Sequence, residues 1–214
     1  MSEVDSLKSR IQYFFGMTNA VHLLRRALTS AYKTVKELDD QMVQTAVVTD
    51  FSVSDMWDKL PQYTKAAGEL GAKVVDLYGA TTLYYQQGLK TNEAMELGVE
   101  TMKMARIAGM ESTEATEAMT AALRGFNMEL TETSATRVND VYSKLAAITA
   151  ADTEQIATAM TKTASIAASA NMEFETTAAL LAQIIETTQE APETAGTAMK
   201  TIIARFTEVK ELFS

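Results

Sequence analysis

Between Met17 and about Thr49 the apolar residues Val21, Leu24, Leu28, Val35, Leu38 and Met42 fall near helical spacing, with no Pro or Gly among them. That pattern predicts one long helix. A short helix is expected before Gly16. Ser52 and Asp55 then form an S-x-x-D capping signal, which opens a helix running through Trp57 and Leu60. Pro61 implies either a later start or a kink in that element. Gly68 and Gly71 loosen the next joint, and Val74 to Gln87, which contains Tyr78, Tyr84 and Tyr85, reads as a further helix.

Beyond Gln87 the apolar pattern is punctuated at regular intervals. Gly88-Leu89-Lys90-Thr91-Asn92-Glu93-Ala94 aligns with Gly109-Met110-Glu111-Ser112-Thr113-Glu114-Ala115, and the two copies start 21 residues apart. Asn127-Met128-Glu129-Leu130-Thr131 likewise aligns with Asn171-Met172-Glu173-Phe174-Glu175, 44 residues later. Gly, and after it Asn, tolerates the left-handed backbone that ends a helix, and an apolar residue just past it packs back on the last turn. Leu89, Met110, Met128 and Met172 occupy that position. The hydroxyls of Thr91 and Ser112 are expected to accept bonds from the free N–H groups of the next helix, and Glu93 and Glu114 suit its positive end. Each motif is therefore a stop and a restart.

Between these marks the apolar spacing is helical, each set forming one face: Met95, Gly98, Val99, Met102 and Ala105; Ala115, Met119, Ala122, Leu123 and Phe126; Val138, Val141, Tyr142, Leu145 and Ile148. An Asp152-x-x-Gln155 cap precedes Ile156, Ala159, Met160, Thr163, Ile166 and Ala167. The last element starts at Pro192, a favoured first helical position, and presents Met199, Ile202, Ile203, Phe206, Val209 and Phe213. Burial of the Met199, Ile202, Ile203 and Phe206 face by the preceding hairpin is expected. The chain reads as all-α, with about nine helices, the last six in units of ~20 residues stacked as antiparallel hairpins.

Composition agrees with helix: two Pro and nine Gly in 214 residues are too few for a strand-rich chain. Residues 101 to 200 hold 23 Ala and 18 Thr, small side chains that let helices approach closely but bury little area per contact. A net charge of −9 with scattered Lys and Arg, the densest pair being Arg25 and Arg26, argues against direct nucleic-acid binding. With no Cys there is neither a disulfide nor a thiolate metal site. Met1 to Arg10 carries Glu3 and Asp5 and no apolar run, so no export signal is expected. The uncharged stretches Thr163 to Met172 and Thr176 to Ile185 are ten residues each, about half of what a bilayer requires, so no membrane span is expected.

Candidate chemistry is sparse. His22 is the only histidine, which excludes His-based metal clusters and His-dependent nucleophilic arrangements. Asp39 with Asp40, or Glu186 with Glu190, could form an acid pair, but acidic residues on amphipathic helices normally face water, and nothing in the sequence sets the pairs in contrasting environments. No dinucleotide, phosphate-loop or calcium-loop motif occurs. The expectation is a non-enzymatic structural protein with no cofactor. Its thirteen methionines read as core packing ahead of an adaptable partner groove.

Four segments carry a resemblance: Tyr84-Tyr85-Gln86-Gln87-Gly88-Leu89, Ala105-Arg106-Ile107-Ala108-Gly109-Met110, Ala121-Ala122-Leu123-Arg124-Gly125-Phe126, and Ala195-Gly196-Thr197-Ala198-Met199-Lys200-Thr201-Ile202 with Ala204-Arg205-Phe206. The last, with Ala195, Gly196, Thr197, Lys200, Arg205 and Phe206, is the most specific. Residues 88 to 213 resemble the core region of phage tail tape-measure proteins. The resemblance implies residues 1–72 as an amino-terminal helical region with one long helix, and 73–214 as a tape-measure core-like hairpin array. It implies a rod-like ruler whose length fixes tail length while tube subunits polymerise around it, and which leaves the tail at infection. Tail tube subunits, tail-assembly chaperones and tail tip proteins are the implied partners, with a homo-oligomer located in the virion tail and in the host cytoplasm during assembly. Such proteins are much longer, so the resemblance implies a fragment or processed domain. The rival reading is a helical signalling or adaptor bundle, which needs sustained heptads where this chain places Gly or Asn every ~20 residues.

Overall fold

The computed structural model of the chain describes residues 3–212, and side-chain surroundings from residue 25 to residue 208 apart from Thr91. Nine α-helices and no strand occur among the described residues: α1 (Glu3–Val47), α2 (Val53–Leu70), α3 (Val74–Gln86), α4 (Thr91–Ala108), α5 (Ser112–Gly125), α6 (Glu132–Ala146), α7 (Thr153–Ser169), α8 (Phe174–Thr188) and α9 (Pro192–Leu212). The last six start at 91, 112, 132, 153, 174 and 192, which is the repeat length legible in the sequence.

The amino-terminal expectations change in two ways. No separate helix precedes Gly16, because α1 continues through it. One Gly inside a helix costs only about 1 kcal/mol relative to Ala, which the hydrogen bonds of the flanking turns outweigh. Pro61 lies inside α2, whose start is set at Ser52. There the Ser52 hydroxyl accepts the Asp55 N–H at 3.2 Å and the Asp55 carboxylate accepts the Ser52 N–H at 2.7 Å. The Ser52 hydroxyl and N–H together hold the Asp55 carboxyl below the usual carboxylate range.

Helix contacts run almost entirely between neighbours and next-but-one neighbours. One row is α1, α3, α5, α7 and α9; the other is α2, α4, α6 and α8; consecutive helices bridge the rows. A small α4–α7 contact is the main exception. Small residues set the closest approaches. A Cβ on Gly125 would lie 2.5 Å from the Cβ of Ala164, and one on Gly196 would lie 2.4 Å from the carbonyl oxygen of Ala159. These two glycines seat α5 and α9 against α7.

Buried threonines fill the remaining contacts without leaving polar atoms orphaned. Thr45, Thr82, Thr101, Thr116 and Thr177 are buried, and each hydroxyl donates to the carbonyl four residues earlier. The satisfied hydroxyl then serves as a small packing group. Some reach across helices as well: the Thr163 hydroxyl donates to the Gly196 carbonyl of α9 at 2.9 Å, and those of Thr45 and Thr82 lie 2.6 Å apart, so that one of this pair donates to the other in place of its own carbonyl. Two of the four fully buried tyrosines sit where α2 and α3 meet, with the Tyr63 and Tyr78 rings stacked at 3.8 Å. Burial pushes both phenols up, and pushes Tyr84 up to about 12.

Candidate functional site

The stop-and-restart motifs occupy the connections between helices. Gly88 has φ 90°, Gly109 φ 72°, Asn127 φ 52° and Asn171 φ 59°. The next residue in each case returns its N–H to the carbonyl five positions back: Leu89 to Tyr84, Met110 to Ala105, Met128 to Leu123 and Met172 to Ala167, at 2.8 to 3.2 Å. That bond and the partial burial of all four side chains against the core make one Schellman-type closure repeated along the molecule. Gly71, with φ 61°, makes a fifth through Ala72.

The restarts differ from expectation in detail. α4 begins at Thr91 and α5 at Ser112, so these are first helical residues, and the capping positions belong to Lys90 and Glu111. The closure uses Leu89 and Met110 for its return bond, and one further extended residue follows before the helix begins, which moves Ser112 off the capping position; the Thr91 side chain lies outside the described ones. Glu93 takes over part of that task by accepting the Lys90 N–H at 3.0 Å. Where the spacing permits, true side-chain caps form, at Thr131 and in the reciprocal Asp152–Gln155 box.

The segment Ala195 to Phe206 divides by face. Ala195, Gly196, Met199 and Ile203 are buried, whereas Thr197, Lys200 and Arg205 are exposed. Burial of the full α9 face does not occur: Ile202 is 51% and Phe206 72% exposed. Ile203 and Met199 are on the side of α9 that packs inward, α7 being its main neighbour, and Ile202 and Phe206 are rotated away with no described helix covering them. Val209 and Phe213 fall outside the described side chains. Two other predicted faces are also only partly covered, since Ile148 lies past the end of α6 and is exposed, as are Leu28 and Val35 on α1. Replacing Phe206 with Ala is accordingly expected to change stability by less than about 0.5 kcal/mol, the range for exposed positions, read from denaturant midpoints.

Among the described residues no three His, Asp or Glu side chains are grouped as metal ligands, and no helix is long and apolar enough to cross a membrane. The concavities are shallow. One lies at the Gly71 and Gly109 connections, where Lys73 and Arg106 face Asp76 and Glu111, so no single charge dominates it. The surface features of the molecule are thus its regular connections and its uncovered helix faces. Residues 64–214 match the model of the family described as phage-related minor tail protein.

This chain belongs to that family. It is also similar to the tape measure protein of Pneumococcus phage Dp-1, with 26% identity over 203 residues. The matched region takes in 89% of this chain and 16% of that protein, so the chain spans about a sixth of the relative's length. No solved structure matches. The minor tail protein match takes in all of α3 to α9, the part of the chain built from closures and restarts. Periodicity missed Gln189, which ends α8 at φ 54° and whose side-chain amide donates to the Glu186 carbonyl at 2.7 Å. Pro192, three residues on, was its only sequence signal.

Proposed function

We propose that the chain is a structural segment of a tape-measure protein that acts in tail assembly, contributes to tail-length determination and leaves with the protein at infection. The match of residues 64–214 to the phage-related minor tail protein family carries this reading. Residues 1–72 form its amino-terminal helical region and residues 73–214 its tape-measure core-like array. Tail tube subunits, tail-assembly chaperones and tail tip proteins are its partners.

The packing is suited to such a role. Where each helix rests on its near neighbours, length is added unit by unit, and a unit can be removed without dismantling the rest. Small residues at the contacts also bury little area, so helices separate at less cost than Leu-rich ones, at ~25 cal/mol per Å² of apolar surface. As one continuous helix the chain would span roughly 320 Å at 1.5 Å per residue.

Deleting α6 and α7 together removes one helix from each row. The deleted stretch, from residue 132 up to residue 174, is 42 residues (174 − 132). In the phage that encodes the chain, this deletion is expected to shorten the tail by about 60 Å, and duplicating the same stretch to lengthen it equally, at 1.5 Å per helical residue. Electron micrographs of assembled tails measure both. Tails of unchanged length in both variants would remove this segment from the ruler.

A further inference from the structure

Within the array, α7 has a neighbour of its own row on either side. Toward α5 it presents Ala164, which a Cβ on Gly125 would meet at 2.5 Å; toward α9 it presents Ala159 and Thr163, which lie against Gly196. Successive residues of an α-helix are about 100° apart around the axis, so Ala164 and Thr163 mark two sides of α7 a little more than a quarter-turn apart. Ile156, Met160 and Ala167 fall on the arc between them and are buried.

On α9 the same rotation leads to open surface. Gly196 is the residue that faces α7. About 120° from it, in the same sense as from Ala164 to Thr163, stands Ile202, which is half exposed. Phe206 lies on the arc between and is more exposed still. α8 has a similar open side. Its Glu175 pairs with Arg137 of α6, and away from that pair Thr176, Leu180, Ile184 and Thr187 follow one another at intervals of four, four and three, exposed except for the half-buried Ile184.

The make-up of these faces identifies what they fit. They combine Thr with apolar side chains and carry no charge, as do the buried contacts at Thr45, Thr82 and Thr163. A stack of repeats that ends in solution needs a polar outer face. Among the described residues, α3 to α7 leave only Ile107, in the last turn of α4, as a large apolar side chain exposed within a helix. The contacts of α7 with α5 and α9 are also the most extensive in the molecule, and the open side of α9 is the place where a contact of that kind would be made again. We propose that the exposed sides of α8 and α9 seat a further two-helix unit of the same build, supplied by the polypeptide that follows α9 and covering Leu180, Ile202 and Phe206. The inference concerns packing and stands apart from the tail-length reading.

The chain contains no cysteine, so Leu180→Cys and Ile202→Cys each place a single thiol on this face, and Thr197→Cys places one on the exposed far side of α9. The three variants are compared in the 214-residue chain and in that chain extended by the next two repeat lengths of its gene. A maleimide is expected to label Leu180→Cys and Ile202→Cys at least roughly tenfold more slowly in the extended chain, with Thr197→Cys unchanged, because a covered thiol reacts only when the packing opens. In the unsubstituted chains, the amides of α8 and α9 are expected to exchange more slowly when the extension is present. Equal labelling and equal exchange in the two chains would overturn the proposal, as would a gene that ends at Ser214. Slow labelling of Ile202→Cys already in the 214-residue chain, relieved by dilution as a dimer mass falls to monomer, would overturn it by assigning the face to a second copy.

Discussion

Replacing Tyr142 with Ala is expected to lower the unfolding free energy by about 3 to 5 kcal/mol, the range for removing a large aromatic side chain from a core. Tyr142 of α6 is fully buried, and its ring lies 5.6 Å from Phe174 of α8, which meets Phe126 at the end of α5 at the same distance. One aromatic cluster thus ties α5, α6 and α8. Its hydroxyl is buried with no hydrogen-bond partner, and burial pushes the phenol up. Tyr142→Phe removes only that unsatisfied group, so it is expected to leave stability unchanged or slightly raised. Urea unfolding of both variants measures the contrast. Similar losses in both would mean that the hydroxyl holds the structure through a bond of its own.

Gly196→Ala is expected to destabilise by about 1 to 3 kcal/mol, the usual cost of forcing extra volume into a packed contact. The added methyl would meet the backbone of Ala159 at 2.4 to 3.1 Å, and backbone cannot swing aside as a side-chain tip can. Moving α9 outward would also stretch the bond from Thr163 to the Gly196 carbonyl. Gly68→Ala is the same chemical change with the opposite expected sign. Gly68 lies inside α2 with open space around it, so the methyl gains helix propensity and should stabilise by about 0.5 to 1 kcal/mol. Thermal or denaturant midpoints of the pair test the seating of α9 on α7, and losses of equal size would show that propensity and not contact governs Gly196.

The helix ends were legible because their chemistry is local. Gly88, Gly109, Asn127 and Asn171 reach the left-handed region more readily than other residues, and the apolar residue that follows completes the closure. The caps at Ser52 and Asp152 are equally local. What periodicity cannot carry is the identity of the covering partner. Met199 and Phe206 belong to the same apolar pattern, yet one rests on the molecule and the other faces outward, as do Leu38 and Leu28 on α1. The alternation of rows is also non-local, so the roles of Gly125 and Gly196 as seats for α7 emerge only when α5, α7 and α9 are brought together. Each isolated Gly in a helical run was the available hint, since such a residue usually has a packing reason.

The succession of near-neighbour contacts also determines how the molecule meets a mechanical load. A pull on its two ends strains the outermost clasps first, because among the described residues no extensive contact ties α9 to anything before α7 or α1 to anything beyond α3. The interior helices bear tension only after those beside them have let go. Extension is therefore expected to proceed as a series of separate yields, the largest where α7 lets go of α5 and α9, the most extensive helix contacts among the described residues. A fold held by many long-range contacts would instead resist as one body and then fail at once.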